Sequence, residues 1–318
     1  MMTFKPAPTD GTFYRLSEAE WTARRAAHEE RLRPVVEPHL ARQSRHESHP
    51  VIDFLFQYYG YRASALLRWS PGLGVILEGD RAREFLRDPR YEERDGGVAL
   101  RSPRFSPTRL EGIRWILNLL ETTASRPPRF GCFGMHEWAM VYRASSRRHS
   151  GVPLRMGDDE LAKFVEVQRI ACSHYDAFRF FTPAARPLNR LQPSAQNRIE
   201  LEQRGCLHTN MDLYKWAMKI WPWVESELVG DAFLLALEIR ELDMRASPYD
   251  LSRYGYAPVR IETPEGRLEY SRLQQHLAEK AVPVRLRLID AYCKVLNSTT
   301  PNVEYAGSCC GESLSGTA

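Results

Sequence analysis

ESELVGDAFLLALEIRELDMRAS, residues 225–247, is apolar nearly all the way round once wound into a helix. A helix of that kind in a soluble chain has to be buried. The rest of the chain must then supply enough helices to cover it, which predicts a mainly α fold. The predicted helix, 224–246, also carries Asp231, Glu238, Glu241 and Arg245. Their spacings of seven, three and four put all four along one face. Charges on a buried helix must pair or stand in a site, because isolated buried charge is costly. Two readings stay open: a structural ion-pair network, with Glu241 answering Arg245, or a wall of catalytic or metal-binding carboxylates. ELDMRASPYD adds Asp243 and Asp250 at the helix end.

Other segments fill in the shell. SEAEWTARRAAHEERL opens with a capping box, Ser17 answered by Glu20. HPVIDFLFQYYGYRASALLRW predicts one or two helices, and RLEGIRWILNLLETTAS, FGCFGMHEWAMVYR and DDELAKFVEVQRIA one each. MDLYKWAMKIW follows Asn210, a good N-cap, and stops at Pro222. A last long helix starts at Thr263 with Pro264 in its first turn and is expected to run to about Leu296, kinked at Pro283. APVRIET before it reads as a short strand. The stretches 93–109 and 182–197 read as loops on their Pro and Ser content. No solenoid repeat is visible. The expected organisation is an N-terminal arm (1–16), a single helical domain with long connecting loops and at most a few short strands (17–296), and a Gly/Ser-rich tail without fixed structure (297–318).

No apolar run approaches the 18 residues of a membrane span. MMTFKPAPTDGTFYRLSEAE lacks the apolar stretch of a signal peptide, so the expected location is cytoplasmic. The cysteines at 132, 172, 206, 293, 309 and 310 are then expected as free thiols. A net charge of +4 permits a nucleic-acid partner without demanding one. Only six of the 44 basic residues are Lys. Codon bias of a GC-rich genome explains that, and so does phosphate recognition by arginine.

One chemical theme occurs three times. Cys132/His136/Glu137, Cys172/His174/Asp176 and Cys206/His208/Asp212 each bring a thiol, an imidazole and a carboxylate. These are ligand types for zinc, and His with carboxylate suits iron. HEWAM is not the zinc-protease signature, because position 140 is Met. The other reading is buried thiols beside ordinary polar residues. One pocket is expected to collect all three segments together with the Glu238/Glu241 face. RWSPGLGVIL (68–77) offers a second theme, a Pro-Gly-apolar-Gly step like the turn of a helix–hairpin–helix, with Asp88 and Asp95 downstream. SRHESHP and RSPRFSPTR are candidate phosphate contacts. GxSxG, P-loop and GxGxxG signatures are missing.

The phrases HPVIDFLFQYYGYR, RPPRFGCFGMHEWAMVYR, CSHYDAFRFFTPAARPLN, CLHTNMDLYKWAMK and EIRELDMRASPYDL, in that order, resemble a bacterial family named 3-methyladenine DNA glycosylase. The resemblance spans roughly residues 17–295. It implies removal of alkylated or modified purines from DNA by N-glycosidic hydrolysis, with DNA as partner and no cofactor. Such chemistry needs a carboxylate to activate water or stabilise a sugar cation, and an aromatic pocket for the flipped base. The chain offers Asp176, Asp212, Glu238 and Glu241 as carboxylates, and Trp138, Tyr175 and Trp216 as stacking rings. Arg179, Arg240 and Arg245 are candidate phosphate contacts. The alternative is a metal-dependent enzyme, a di-iron oxygenase or a metallohydrolase, acting on a small molecule. It would use iron, zinc or manganese held by His136, Glu137, His174 and His208. A non-enzymatic binding module is a third reading, against which the acidic stripe counts.

Overall fold

The computed structural model describes residues 13–147, 149 and 151–299. Cys309 and Cys310 fall outside them. The described chain is mainly helical, and none of its helices is long and apolar enough to cross a membrane. The helices are α1 (Glu18–Ser44), α2 (Asp53–Tyr59), α3 (Pro107–Ser125), α4 (Met135–Val141), α5 (Asp158–Glu166), α6 (Tyr175–Phe178), α7 (Arg198–Leu201), α8 (Leu207–Lys219), α9 (Ser226–Arg245) and α10 (Pro264–Thr299). The strands β1 (Tyr14–Leu16), β2 (Val75–Leu77), β3 (Tyr91–Arg94) and β4 (Gly97–Leu100) make a small sheet in the order β1-β2-β4-β3. β1 runs parallel to β2, and the other pairings are antiparallel.

The capping box forms as the sequence predicts. Ser17 Oγ accepts the Glu20 N–H, and Glu20 Oε2 accepts the Ser17 N–H at 2.8 Å. α9 is buried along Leu228, Ala232, Phe233, Ala236, Ile239 and Leu242. α8 lies along it, and α10 covers α3, α8 and α9. A second, smaller core of Leu16, Trp21, Trp69, Leu77, Tyr91 and Val98 seals the sheet against α1.

The acidic stripe of α9 points outward. Glu238 pairs with Lys280, and Glu241 with Arg245 at 3.4 Å, with both carboxylates about half exposed at 49% and 45%. Asp231 joins Arg31 and Arg287. Energetics decide this orientation. Each buried Phe, Leu or Ile contributes about 1.5–3 kcal/mol, whereas a half-exposed ion pair contributes about 0–1 kcal/mol. The apolar face therefore goes in, and Glu238 and Glu241 face outward in ion pairs instead of lining a buried wall.

Four local expectations also change. Residues 91–100 form the β3–β4 hairpin across Asp95-Gly96, both at positive φ, where a loop was expected from 93 onward. Asp-Gly between alternating residues is a hairpin signal, and the Pro and Ser density after it masked that signal. APVRIET is irregular, not a strand. α8 begins at Leu207, so Asn210 sits inside the helix and is buried. RWSPGLGVIL leads into β2 and then a 3-10 turn over Asp80–Arg87, not into a second helix. Amides at the centre of the turn are already used. Leu73 N–H donates to Trp223 O at 3.0 Å, Gly72 N–H to Ser70 Oγ at 3.3 Å, and Gly72 lies against the backbone of Val224 and Glu225. No phosphate cradle is left. Asp88 is held by Arg90, and Asp95 is the hairpin turn.

Candidate functional site

The three Cys/His/carboxylate segments meet in one buried polar cluster, between α4, α6, α8 and the C-terminal half of α9. The His208 ring stands edge-on to His136, centroids 4.3 Å apart, and stacks beside His174 at 5.4 Å. His174 is fully buried, and His136 and His208 nearly so. The thiols gather here too. Burial and the proximity of Cys132 and Cys206 push the Cys172 thiol well above its ordinary value, and burial raises Cys206 to about 12. Neutral thiols of this kind are not nucleophiles at physiological pH.

One half of the cluster is built on α6, α7 and α8. His174 caps α6, its Nδ1 accepting the Ala177 N–H at 3.2 Å. That bond places the neutral ring's proton on Nε2, which faces Asp212 Oδ2 at 3.3 Å. Asp212 also takes Arg198 (3.4 Å), Lys215 (3.4 Å) and the Tyr59 hydroxyl (2.8 Å). Asp176 takes Lys215 at 3.0 Å and Arg198 at 3.2 Å, and Arg198 reaches Glu202 at 2.8 Å. Burial drives both Asp carboxyls up, but Lys215, Arg198 and, at Asp212, His174 outweigh it, so both lie below the usual carboxylate range. Three carboxylates thus face Arg198, Lys215 and the rim cation Arg179, and charge balances.

The other half joins α4 to α9. His136 Nε2 is bonded to Asp243 Oδ1, and its Nδ1 faces Cys132 Sγ at 3.8 Å. Asp243 Oδ2 takes Arg240 at 2.6 Å, and Arg240 reaches Glu137 Oε1 at 2.7 Å. The Arg240 guanidinium lies 3.8 Å over the Phe54 ring and is fully buried. Burial pulls His136 down, but Asp243 outweighs it and keeps the imidazolium. Burial and the neighbouring His136 push His208 well below its usual value, so that ring is neutral.

Above the first half lies an aromatic rim. Tyr58, Tyr59, Tyr61, Trp115 and Tyr175 are half-buried, and Arg179 and Phe180 are exposed. Tyr58 packs on Tyr59 (4.9 Å) and Phe180 (6.2 Å) and is hydrogen-bonded to Arg179. Arg198 lies between Trp115 and Trp216, 5.7 and 5.8 Å from their centroids. Lys215 sits 4.4 Å over Trp216. Two surface clefts, one beside Arg143 and Lys163 and one beside Arg83 and Asp95, contain none of these residues.

Of the sequence candidates, Asp176, Asp212, Tyr175, Arg179 and Trp216 come together at the rim, and His136, His174 and His208 below it. The rest need correction. Trp138 is fully buried, its ring N–H donating to Ala246 O at 2.9 Å, so no face is free for a base. Arg240 is internal and meets no phosphate. Arg245, the last residue of α9, is tied to Ala257 O, Glu241 and Glu269. Glu137 is spent on Arg240, and Asp243 takes the place expected for it beside His136. Sequence reasoning missed Lys215, Arg198, Glu202 and Tyr59. Lys215 three residues after Asp212 and Glu202 four after Arg198 were legible as helix pairs, whereas Tyr59 comes from a remote segment and left no signal. No protein-family model matches the chain, and neither a curated protein nor a solved structure matches it.

Proposed function

We propose that this protein hydrolyses the N-glycosidic bond of alkylated or modified purines in DNA. The observation that carries the reading is Asp176, an ionised carboxylate 7% exposed beneath the aromatic rim. The five phrases that resemble the glycosylase family supply this cluster. They bring in turn Tyr58 and Tyr59; His136 and Glu137; His174 and Asp176; His208, Asp212 and Lys215; Arg240 and Asp243.

The chemistry follows from the parts. An alkylated purine is a cation, so it leaves as a neutral base with the bonding electron pair and needs no acid. Its departure leaves an oxocarbenium-like sugar, which a fixed anion stabilises. Asp176 takes the proton of the water that adds to that carbon. Asp212, held by Tyr59 and His174, positions Lys215 against Asp176. The rim tyrosines and Trp115 would stack the extruded base, with added cation–π attraction. Exposed Arg179 stands at this rim, with exposed Arg186 donating to its backbone oxygen at 3.2 Å, and both suit phosphates.

The test is single-turnover release of N-methylated purine from alkylated duplex DNA. Wild type should release base, and Asp176→Asn should slow release about 10²–10⁴-fold with the far-UV spectrum unchanged. No release by wild type, or an unaltered rate in the variant, removes the reading. A second reading, a metal-dependent reaction on a small molecule, is favoured by one observation: His136, His208 and Asp243 present ligand atoms that all lie within 4.8 Å of one another.

A further inference from the structure

His208 is the odd histidine of the cluster. It is 8% exposed, yet neither ring nitrogen has a hydrogen-bond partner among the described residues. Unlike His136 and His174, whose ring nitrogens are bonded within the protein, the His208 imidazole is therefore free to act as a ligand. One nitrogen of His208 lies within 4.8 Å of a His136 nitrogen and an Asp243 oxygen.

The geometry points to a divalent transition-metal centre of the zinc or iron class, held by His136 Nε2, His208 and Asp243 Oδ1. Two imidazoles and one carboxylate with open positions form a recognised ligand set for both metals. Metal–N and metal–O bonds of about 2.0–2.2 Å put neighbouring ligand atoms about 3.4 Å apart in a tetrahedron. The present separations need only small side-chain adjustments.

The support around these ligands has the character of an outer shell. A metal-bound imidazole typically donates its other N–H to an acceptor that fixes the ring. Here His136 Nδ1 faces Cys132 Sγ at 3.8 Å, which leaves Nε2 for the ion. The Asp243 carboxylate is fixed through its other oxygen by Arg240 at 2.6 Å. Arg240 is itself balanced by Glu137 at 2.7 Å. With neutral imidazoles, one negative charge is left for the cation. Binding displaces the proton that His136 now shares with Asp243, and that proton leaves to solvent.

The neighbouring group, His174, Asp176 and Asp212, is just as compact but does not qualify. The Ala177 N–H occupies His174 Nδ1, so a metal on Nε2 would have no proton to leave in the second position. Lys215 and Arg198 already occupy its carboxylates.

Elemental analysis of protein purified without chelator or affinity metal, followed by titration with Zn²⁺, anaerobic Fe²⁺ and the spectroscopic probe Co²⁺, tests the site. About one ion per chain is expected, with Co²⁺ giving ligand-field absorption. His208→Ala removes a ligand but no protein hydrogen bond, so it should fold and bind more than about 100-fold weaker, since even outer-shell partners carry about 10–100-fold. Asp176→Asn should keep full metal content. That separates this site from base release, which the same variant impairs. Failure of wild type to bind any of the three ions overturns the inference, as does unchanged affinity in His208→Ala. Should that variant not fold, X-ray absorption of the zinc-loaded wild type decides. Two imidazoles in the first shell support the site, and a shell without imidazole sinks it.

Discussion

The two halves of the buried cluster use the same residue types and differ in how completely they are bonded. Around Asp212 the histidine and the cations are all engaged, while Glu202 Oε2 is left without a partner among the described residues. The His174 ring is used at both nitrogens, and Asp176 and Asp212 share Lys215 and Arg198. Around Asp243 an ionic chain runs from His136 through Arg240 to Glu137, but His208 beside it has no hydrogen-bond partner among the described residues. A cysteine, a histidine and an aspartate thus make a closed ionic lattice in one place and an open ligand set in the other. Hydrogen-bond completeness, not residue identity, separates a group that holds the fold together from one free to hold something else.

The largest effect that tests this contrast belongs to the chain both ends of which are buried. Arg240→Met would leave Glu137 without its cation and Asp243 with the His136 imidazolium alone. Breaking a buried pair from one side costs about 3–5 kcal/mol, so urea unfolding should show a loss of that order. A loss below 1 kcal/mol would mean that water already reaches these carboxylates.

The next effect is a pH dependence of the closed half. Asp212 has its carboxyl below the ordinary range in the fold, as burial is outweighed by Lys215, His174 and Arg198. A depressed carboxyl adds stability above its unfolded value near pH 4 and loses it as pH falls through the folded value. Wild-type stability should therefore decline below about pH 4. Asp212→Asn should be less stable at neutral pH and show a shallower acid decline. Parallel acid limbs for the two proteins would show that Asp212 is not the group responsible.

The smallest effect is a control on the outer face of α9. Glu238 is about half exposed and pairs with Lys280. Glu238→Gln should change stability by less than about 0.5 kcal/mol and leave base release unaltered. A large loss of activity would restore Glu238 to the site and upset the comparison.

Much of the fold was legible because it rests on local periodicity. The apolar pattern of α9, the capping box at Ser17 and the start of the last helix all depend on residues a few positions apart. The β3–β4 hairpin was legible in principle at Asp95-Gly96 but was outweighed by the residues after it. The site was legible only by type. Repetition of Cys, His and carboxylate predicted that the segments meet, and they do. It did not predict that Asp243 rather than Glu137 would stand by His136, because consecutive residues on a helix point in different directions.

What the sequence by itself determined was therefore the list of helices, the burial of α9 and the convergence of three chemically alike segments. Short-range hydrogen bonding and the 3.6-residue period act within one segment and need no partner. Which carboxylate meets which cation from a remote segment was decided only by the tertiary structure. Tyr59 on Asp212, Arg240 between Glu137 and Asp243, and the lack of a hydrogen-bond partner for His208 among the described residues each depend on residues far apart in the chain. In a low-dielectric interior a displacement of a few ångströms decides whether a charge is paired or costly, and no local pattern in the sequence encodes a distance that fine.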